Sequence, residues 1–248
     1  MEYAFCRVSI VPIRSEHKDS SEIVSQLLFG ELVKINDRFE NWLFIETLLD
    51  KYNGWIDEKQ IEILSSKDAE KWKENQKIIS KNTKILTPIG PIFLTKGAFL
   101  DKNNPSDFRI GRNFIVKSNY KITKINLITF SKTYLNTPYL WGGKTNYGID
   151  CSGFTQIVFR NEGVELPRDA YQQEELGQKI MLSETKVGDL AFFSNKNGKI
   201  IHVGILISKS KIIHASGRVK IDKIDNQGIW SEELKKYSHT LHSIKRMI

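Results

Sequence analysis

The 248-residue chain holds two cysteines and five histidines, and their placement narrows the chemistry they could share. Cys151 stands in GIDCSGF, behind an aspartate, where a helix is predicted to start. With Asp150 as N-cap, the thiol falls in the first helical turn, where unpaired backbone N–H groups and the helix dipole favour an anion. Such a setting can lower a cysteine pKa from about 8.5 to about 3.5–7.5, and the same N–H groups could hold an oxyanion. Taken alone, the residue remains open to three readings: nucleophile, metal ligand, or small apolar core residue. His202 lies in IIHVGIL and His214 in KIIHAS, two β-type runs separated by the short turn SKSK. Alternation puts His202 on a face with Ile200 and Gly204. Antiparallel pairing across so tight a turn brings the two imidazoles together, so that one could orient the other.

A cysteine and two histidines could also bind zinc, with Asp150 or Asp189 completing four ligands. CxxC, HxxxH and HxH spacings are all missing, so no metal and no other cofactor is expected. IGRNF lacks the later glycines of a dinucleotide loop. His17, His239, His242 and Cys6 lie outside these elements and read as surface or incidental core.

The elements that must position these residues change character along the chain. Residues 4–63 read as short strands, with apolar alternation in Leu32–Ile35 and Trp42–Ile45 and Gly, Asn or Asp between runs, as in a small β-barrel. SSKDAEKWKENQKIIS is a polar helix over about 66–80, capped by Ser65 or Ser66. A second β-rich stretch, about 82–119, is punctuated by Pro88, Gly90, Pro91 and Gly97. Leu127, Phe130, Tyr134 and Leu135 recur at helical spacing before Pro138, and CSGFTQIVFRNEG is a helix stopped by Gly163. VGDLAFF, IIHVGILI and KIIHAS then read as strands, which makes the C-terminal half α+β.

Composition excludes other classes. The net charge of +8 is spread over single lysines in mixed-sign segments, without the one-sided patch of a nucleic-acid binder. No apolar run approaches the about 18 residues that span a bilayer. MEYAFCRVSIVPIRSE lacks a basic region followed by an apolar stretch. The expectation is a cytoplasmic monomer with no nucleic-acid and no membrane partner.

YLWGGKTNYGIDCSGF, VGDLAFF, IHVGIL and IIHASG, in that order, resemble the NlpC/p60 family of papain-like cysteine peptidases over about 125–248. The resemblance implies that Cys151 is the nucleophile, His202 the general base and acid, and His214 the residue that orients His202. It also implies that Tyr139 brings its hydroxyl to the site. The architecture it implies is α+β, a papain-like catalytic domain over 121–248 preceded by two small SH3-like β-barrels, 1–64 and 82–120, joined by a helix over 65–81.

SEIVSQLLFGE, NWLFI and YNGWID extend the likeness to the γ-D-glutamyl-L-diamino-acid endopeptidases of the dipeptidyl-peptidase VI type. That likeness implies a muropeptide substrate, L-Ala-γ-D-Glu-diamino acid with a free amino terminus, and cleavage after D-Glu during peptidoglycan recycling. By the same likeness Asp150 and Ser152 contact the substrate ammonium, joined by Glu22 and Tyr52 from the first barrel. Read from the residues alone, Glu22 is an exposed loop charge and Tyr52 a turn aromatic. LPRDAYQQ departs from the pattern at Ala170, where relatives often carry a small hydroxyl residue. Two other functions remain open on the sequence: an endopeptidase or amidase acting on intact wall with the barrels as binding modules, and a non-catalytic adaptor.

Overall fold

In the computed structural model, which describes residues 2–248, the chain divides into two compact units that part between Lys124 and Ile125. The first begins with seven strands: β1 (Glu2–Cys6), β2 (Ile10–Arg14), β3 (Ile23–Leu28), β4 (Leu32–Phe39), β5 (Trp42–Thr47), β6 (Asn53–Asp57) and β7 (Ile61–Leu64). They pair antiparallel in the order β3-β2-β6-β5-β4-β1-β7. Ala4, Val11, Leu27, Val33, Ile45, Ile56 and Ile61, each from a different strand, share one buried cluster. The outer strands of a flat sheet could not meet in one core, so this sheet is curled into a small barrel.

The polar run after β7 forms α1 (Ser66–Asn75), with the Ser65 hydroxyl accepting the Asp68 N–H at 3.1 Å. The helix ends at Asn75, earlier than the expected 80 or 81. Gln76–Ile78 is instead strand β8, paired with Phe99–Asp101, and Ile78 and Ile79 are buried. Branched side chains suit that extended, half-buried ribbon, and pairing outweighs the modest helix propensity of the segment. β9 (Thr83–Thr87), β10 (Gly90–Leu94), β12 (Asp107–Ile110) and β13 (Phe114–Ser118) make a four-stranded sheet in the order β10-β9-β13-β12, while β8 pairs with β11 (Phe99–Asp101) in a separate ribbon. Phe114 packs edge-on against Phe5 at 5.1 Å, and Trp72 of α1 stacks on Phe108 while donating to the Gly30 carbonyl at 2.7 Å. The second sheet is thus bound to the first barrel through an aromatic core.

The second unit opens with α2 (Leu127–Lys132), followed by a loop holding the short pair β14 (Lys144–Thr145) and β15 (Gly148–Ile149). Next comes α3 (Cys151–Asn161), whose residues Cys151 to Arg160 are all buried. Gly153 is required where the loop crosses the helix start: a Cβ there would lie 2.4 Å from the Gly143 carbonyl oxygen. After α3 come α4 (Ala170–Glu174) and β16 (Gln178–Lys179), then β17 (Leu190–Ser194), β18 (Ile200–Ser208), β19 (Lys211–Ser216), β20 (Arg218–Ile224), β21 (Gly228–Ser231) and β22 (Lys236–Arg246). The order is β16-β22-β17-β18-β19-β20-β21, and β21 also pairs with β22, so the sheet closes on itself. α3 packs on β18 and β19. The β18–β19 hairpin carries an irregularity between Leu206 and Ser208.

Candidate active site

Asp150 is the N-cap of α3, as its position predicts: its carboxylate accepts the Gly153 N–H at 2.7 Å. That puts Cys151 first in the helix, 6% exposed, with its sulfur accepting from the backbone N–H groups of Val203 and Ser152. The Val203 contact joins the helix start to β18, one residue from His202. The Tyr139 hydroxyl is hydrogen-bonded to the thiol from the loop before β14, where the Tyr139 N–H is tied to the Gly217 carbonyl at 2.9 Å.

The two strand histidines meet. Extending the pairing of Ile205 with Ile213 sets Gly204 opposite His214, so His202 and His214 are diagonal neighbours on one face. His202 Nε2 lies 2.8 Å from His214 Nδ1, and His214 Nε2 lies 3.1 Å from the Asp222 carboxylate. Asp222 shares that face because His214 pairs with Lys220 across the Gly217 turn. Lys220 in turn lies 3.3 Å from Asp222 and 3.2 Å from Glu233.

This chain has a direction. Burial works against charge on Asp222, but the hydrogen bonds from His214 and Lys220 and the Lys220 charge outweigh it and hold its pKa below the ordinary value. An ionised carboxylate only accepts, so His214 carries its proton on Nε2 and presents a lone pair at Nδ1. His202 must then donate from Nε2, which leaves the Nδ1 lone pair as its basic site.

The folded surroundings of the thiol oppose the charge that its helix position favours. Burial pushes the Cys151 pKa up to about 12, aided by the Asp150 carboxylate, against the pull of Val203 N–H, Arg168 and Ser152 N–H. Burial likewise holds His202 well below 6.5, with His214 and His239 adding to the shift. The helix start supplies N–H donors, but enclosure in protein outweighs them. Burial thus favours the neutral thiol and the neutral imidazole.

Three residues of this cluster escaped sequence reasoning. Arg168, 2% exposed, meets the Asp150 carboxylate with two nitrogens, one at 3.0 Å and the other at 2.5 Å, and donates to the Ser152 hydroxyl at 2.9 Å. Asp150 also accepts the Gly142 N–H at 2.8 Å. The carboxylate expected to await a substrate ammonium thus already has a buried cation and two amides as partners. Asp222 is the second. His239, expected to be incidental, is the third: its ring stacks on His202 with centroids 4.1 Å apart. Sheet closure through β21 and β22 is what brings it there. Only Asp222 had a readable signal, because a hairpin turning at Gly217 fixes its diagonal relation to His214.

Glu22 is an exposed residue just before β3, and Tyr52 is half-buried at the β5–β6 turn with its N–H on the Thr47 hydroxyl at 2.9 Å; both lie in the first unit. Ala170 opens α4, and the buried Gln173 of that helix bonds the Thr155 hydroxyl and the Ser152 carbonyl, which pins α4 to α3. Asp189, once a conceivable zinc ligand, is instead paired with Arg246 at 2.8 Å.

A thiol at a helix start, bonded to the strand that carries one of two linked histidines, defines a papain-like cysteine peptidase. The chain belongs to the NlpC/P60 family of cysteine peptidases, whose family model matches residues 136–238; residues 13–61 match the bacterial dipeptidyl-peptidase SH3 domain. It is 31% identical over 218 residues to the gamma-D-glutamyl-L-lysine dipeptidyl-peptidase of Bacillus subtilis (strain 168), spanning 78% of this chain and 72% of that protein. To the murein DD-endopeptidase MepS/murein LD-carboxypeptidase of Escherichia coli (strain K12) it is 46% identical over 80 residues, 32% of this chain and 42% of that one. The fold follows an NlpC/P60 family protein from Bacillus cereus ATCC 10987, with a TM-score of 0.80 at 20% identity over 98% of this chain and 99% of that one.

Proposed function

We propose that this peptidase hydrolyses the γ-D-glutamyl–L-diamino-acid bond of cell-wall peptides that carry a free amino-terminal L-alanine, releasing L-Ala-D-Glu. The observation that carries the substrate reading is likeness to the Bacillus subtilis dipeptidyl-peptidase through both the SH3 region and the catalytic domain. An enzyme that removes a dipeptide must count two residues from a free amine, which suits peptides already released from the wall.

The residues supply the chemistry in two stages. Cys151 Sγ–H gives its proton to His202 Nδ1 as the sulfur attacks the γ-carbonyl carbon of D-Glu. The Cys151 N–H, first of the helix, faces the developing oxyanion, a contact typically worth about 2.7–4 kcal/mol of barrier. When the C–N bond breaks, the His202 imidazolium returns the proton to the departing amine. Water, deprotonated by His202, then cleaves the thioester and restores the thiol. His214 and Asp222 hold the reactive tautomer throughout, as the third member does in other triads.

A second reading draws on the likeness of the catalytic half to the murein endopeptidase: cleavage of intact wall. Incubation with free tripeptide, N-acetyl tripeptide and sacculi, followed by mass spectrometry, separates the two. Release of L-Ala-D-Glu from the free tripeptide alone supports the proposal; equal turnover of sacculi overturns it.

A further inference from the structure

We propose that His202, His214 and His239 form a binding site for a zinc ion that switches the peptidase off. Each ring offers one nitrogen, and the three nitrogens lie within 4.8 Å of one another. Zinc bound tetrahedrally by imidazoles at about 2.0–2.1 Å holds its nitrogens about 3.3 Å apart. The His202–His214 pair, now at 2.8 Å, needs only to open slightly, while the His239 ring turns out of its stack on His202 to aim a nitrogen at the same point.

The surroundings are those a metal site uses. A ligating histidine commonly binds a carboxylate or another polar partner through its second nitrogen, which orients the ring and raises its basicity. Asp222 stands behind His214 at 3.1 Å, and the Ser238 hydroxyl lies 2.9 Å from His239 Nδ1. His239 is the partly exposed member of the three, so an ion can arrive on its side while His202 and His214 stay buried. The fourth position falls to water.

Inactivation follows from proton placement and rests on the proposed role of His202 as base. In the active tautomer His202 holds its proton on Nε2, directed at His214. Zinc takes both of those nitrogens as ligands, so the Nε2 proton moves through solvent to His202 Nδ1. That nitrogen can then no longer accept the thiol proton. No net proton is released and no bond to Cys151 is needed.

The test is zinc titration by calorimetry into the Cys151→Ala protein, where the thiol is absent, alongside zinc inhibition of the wild-type protein on free tripeptide. One equivalent is expected to bind to Cys151→Ala. His239→Gln and His239→Phe in that background are each expected to weaken binding at least tenfold, and Asp222→Asn by about 10–100-fold. His239→Phe preserves the stack on His202 without a ligand nitrogen, so it guards against a folding artefact. Wild-type hydrolysis is expected to fall as zinc is added and to return with EDTA. No binding to Cys151→Ala, or binding indifferent to both His239 changes, overturns the site. The calorimetric arm decides this even if no peptide is hydrolysed, so a failure of the peptidase reading remains distinct.

Discussion

A Cβ on Gly204 would fall 2.8 Å from the Cβ of His214. The missing side chain is what lets His214 lie across the hairpin and reach His202. Gly204→Ala is therefore expected to displace the His214 ring. It should lower kcat by about 10²-fold, the usual cost of an ångström-scale misplacement, and destabilise the fold by about 1–3 kcal/mol through crowding. Steady-state kinetics with urea denaturation checks both; unchanged kcat would remove the positioning argument.

Asp222 fixes the direction of the relay. In Asp222→Asn an amide NH₂ turned toward His214 Nε2 reverses both imidazoles and takes the lone pair from His202 Nδ1. We expect kcat to fall on the order of 10²-fold or more with KM little changed. Nitrogen NMR of labelled histidine should report a changed His202 tautomer. An unaltered tautomer together with unaltered kcat refutes the relay.

The thiol should be slow to alkylate. With its pKa pushed up to about 12, Cys151 is almost wholly protonated at pH 6–8, so its iodoacetamide reaction is expected to keep rising through pH 9 without an earlier plateau. A plateau centred between pH 4 and 7 would instead mean a preformed thiolate–imidazolium pair.

Acid should weaken the fold before carboxylates titrate. His202 and His214 have folded pKa values below 6.5, so the unfolded chain takes up protons first as pH falls. Stability is then full above about pH 6.5 and declines below it, by up to about 1.4 kcal/mol per pH unit for each histidine, until the folded pKa values are passed. Urea denaturation with a chelator present, at pH 7, 6 and 5, measures the slope; a flat profile would contradict the buried neutral pair.

Asp150 and Arg168 should behave as a unit. Asp150→Asn keeps a competent helix cap but strands a buried guanidinium, at a cost of about 3–5 kcal/mol. Adding Arg168→Met should restore most of that loss. If the single and double variants melt alike, the ion pair is not what Asp150 contributes.

Period-two alternation made the strands legible, and with them the pairing of His202 and His214, because a short hairpin leaves little choice of register. The cap at Asp150 announced the helix that begins at Cys151. What stayed hidden depends on distant segments meeting. His239 reaches His202 only because β22 pairs with both β17 and β21, and Arg168 reaches Asp150 from a loop with no periodic pattern. The burial that opposes a Cys151 thiolate was hidden for the same reason: helix position is local, whereas enclosure is a property of the folded unit. The helix that stopped at Asn75 lost to a strand partner twenty-odd residues ahead, at Phe99–Asp101.

The irregularity between Leu206 and Ser208 gives the hairpin a parity. Ser208 pairs with Lys211, but Leu206 pairs with Ile212, so the strand spends one extra residue in the step between them. Skipping that residue sets Gly204, rather than Ile205, opposite His214. Were Ile207 paired regularly with Ile212, the hairpin would keep all its hydrogen-bonding groups paired, yet His214 would lie opposite Ile205, on the face away from His202. The base would lose its partner with every named side chain still in the chain, which makes one uncounted backbone position as decisive for this chemistry as the histidines themselves.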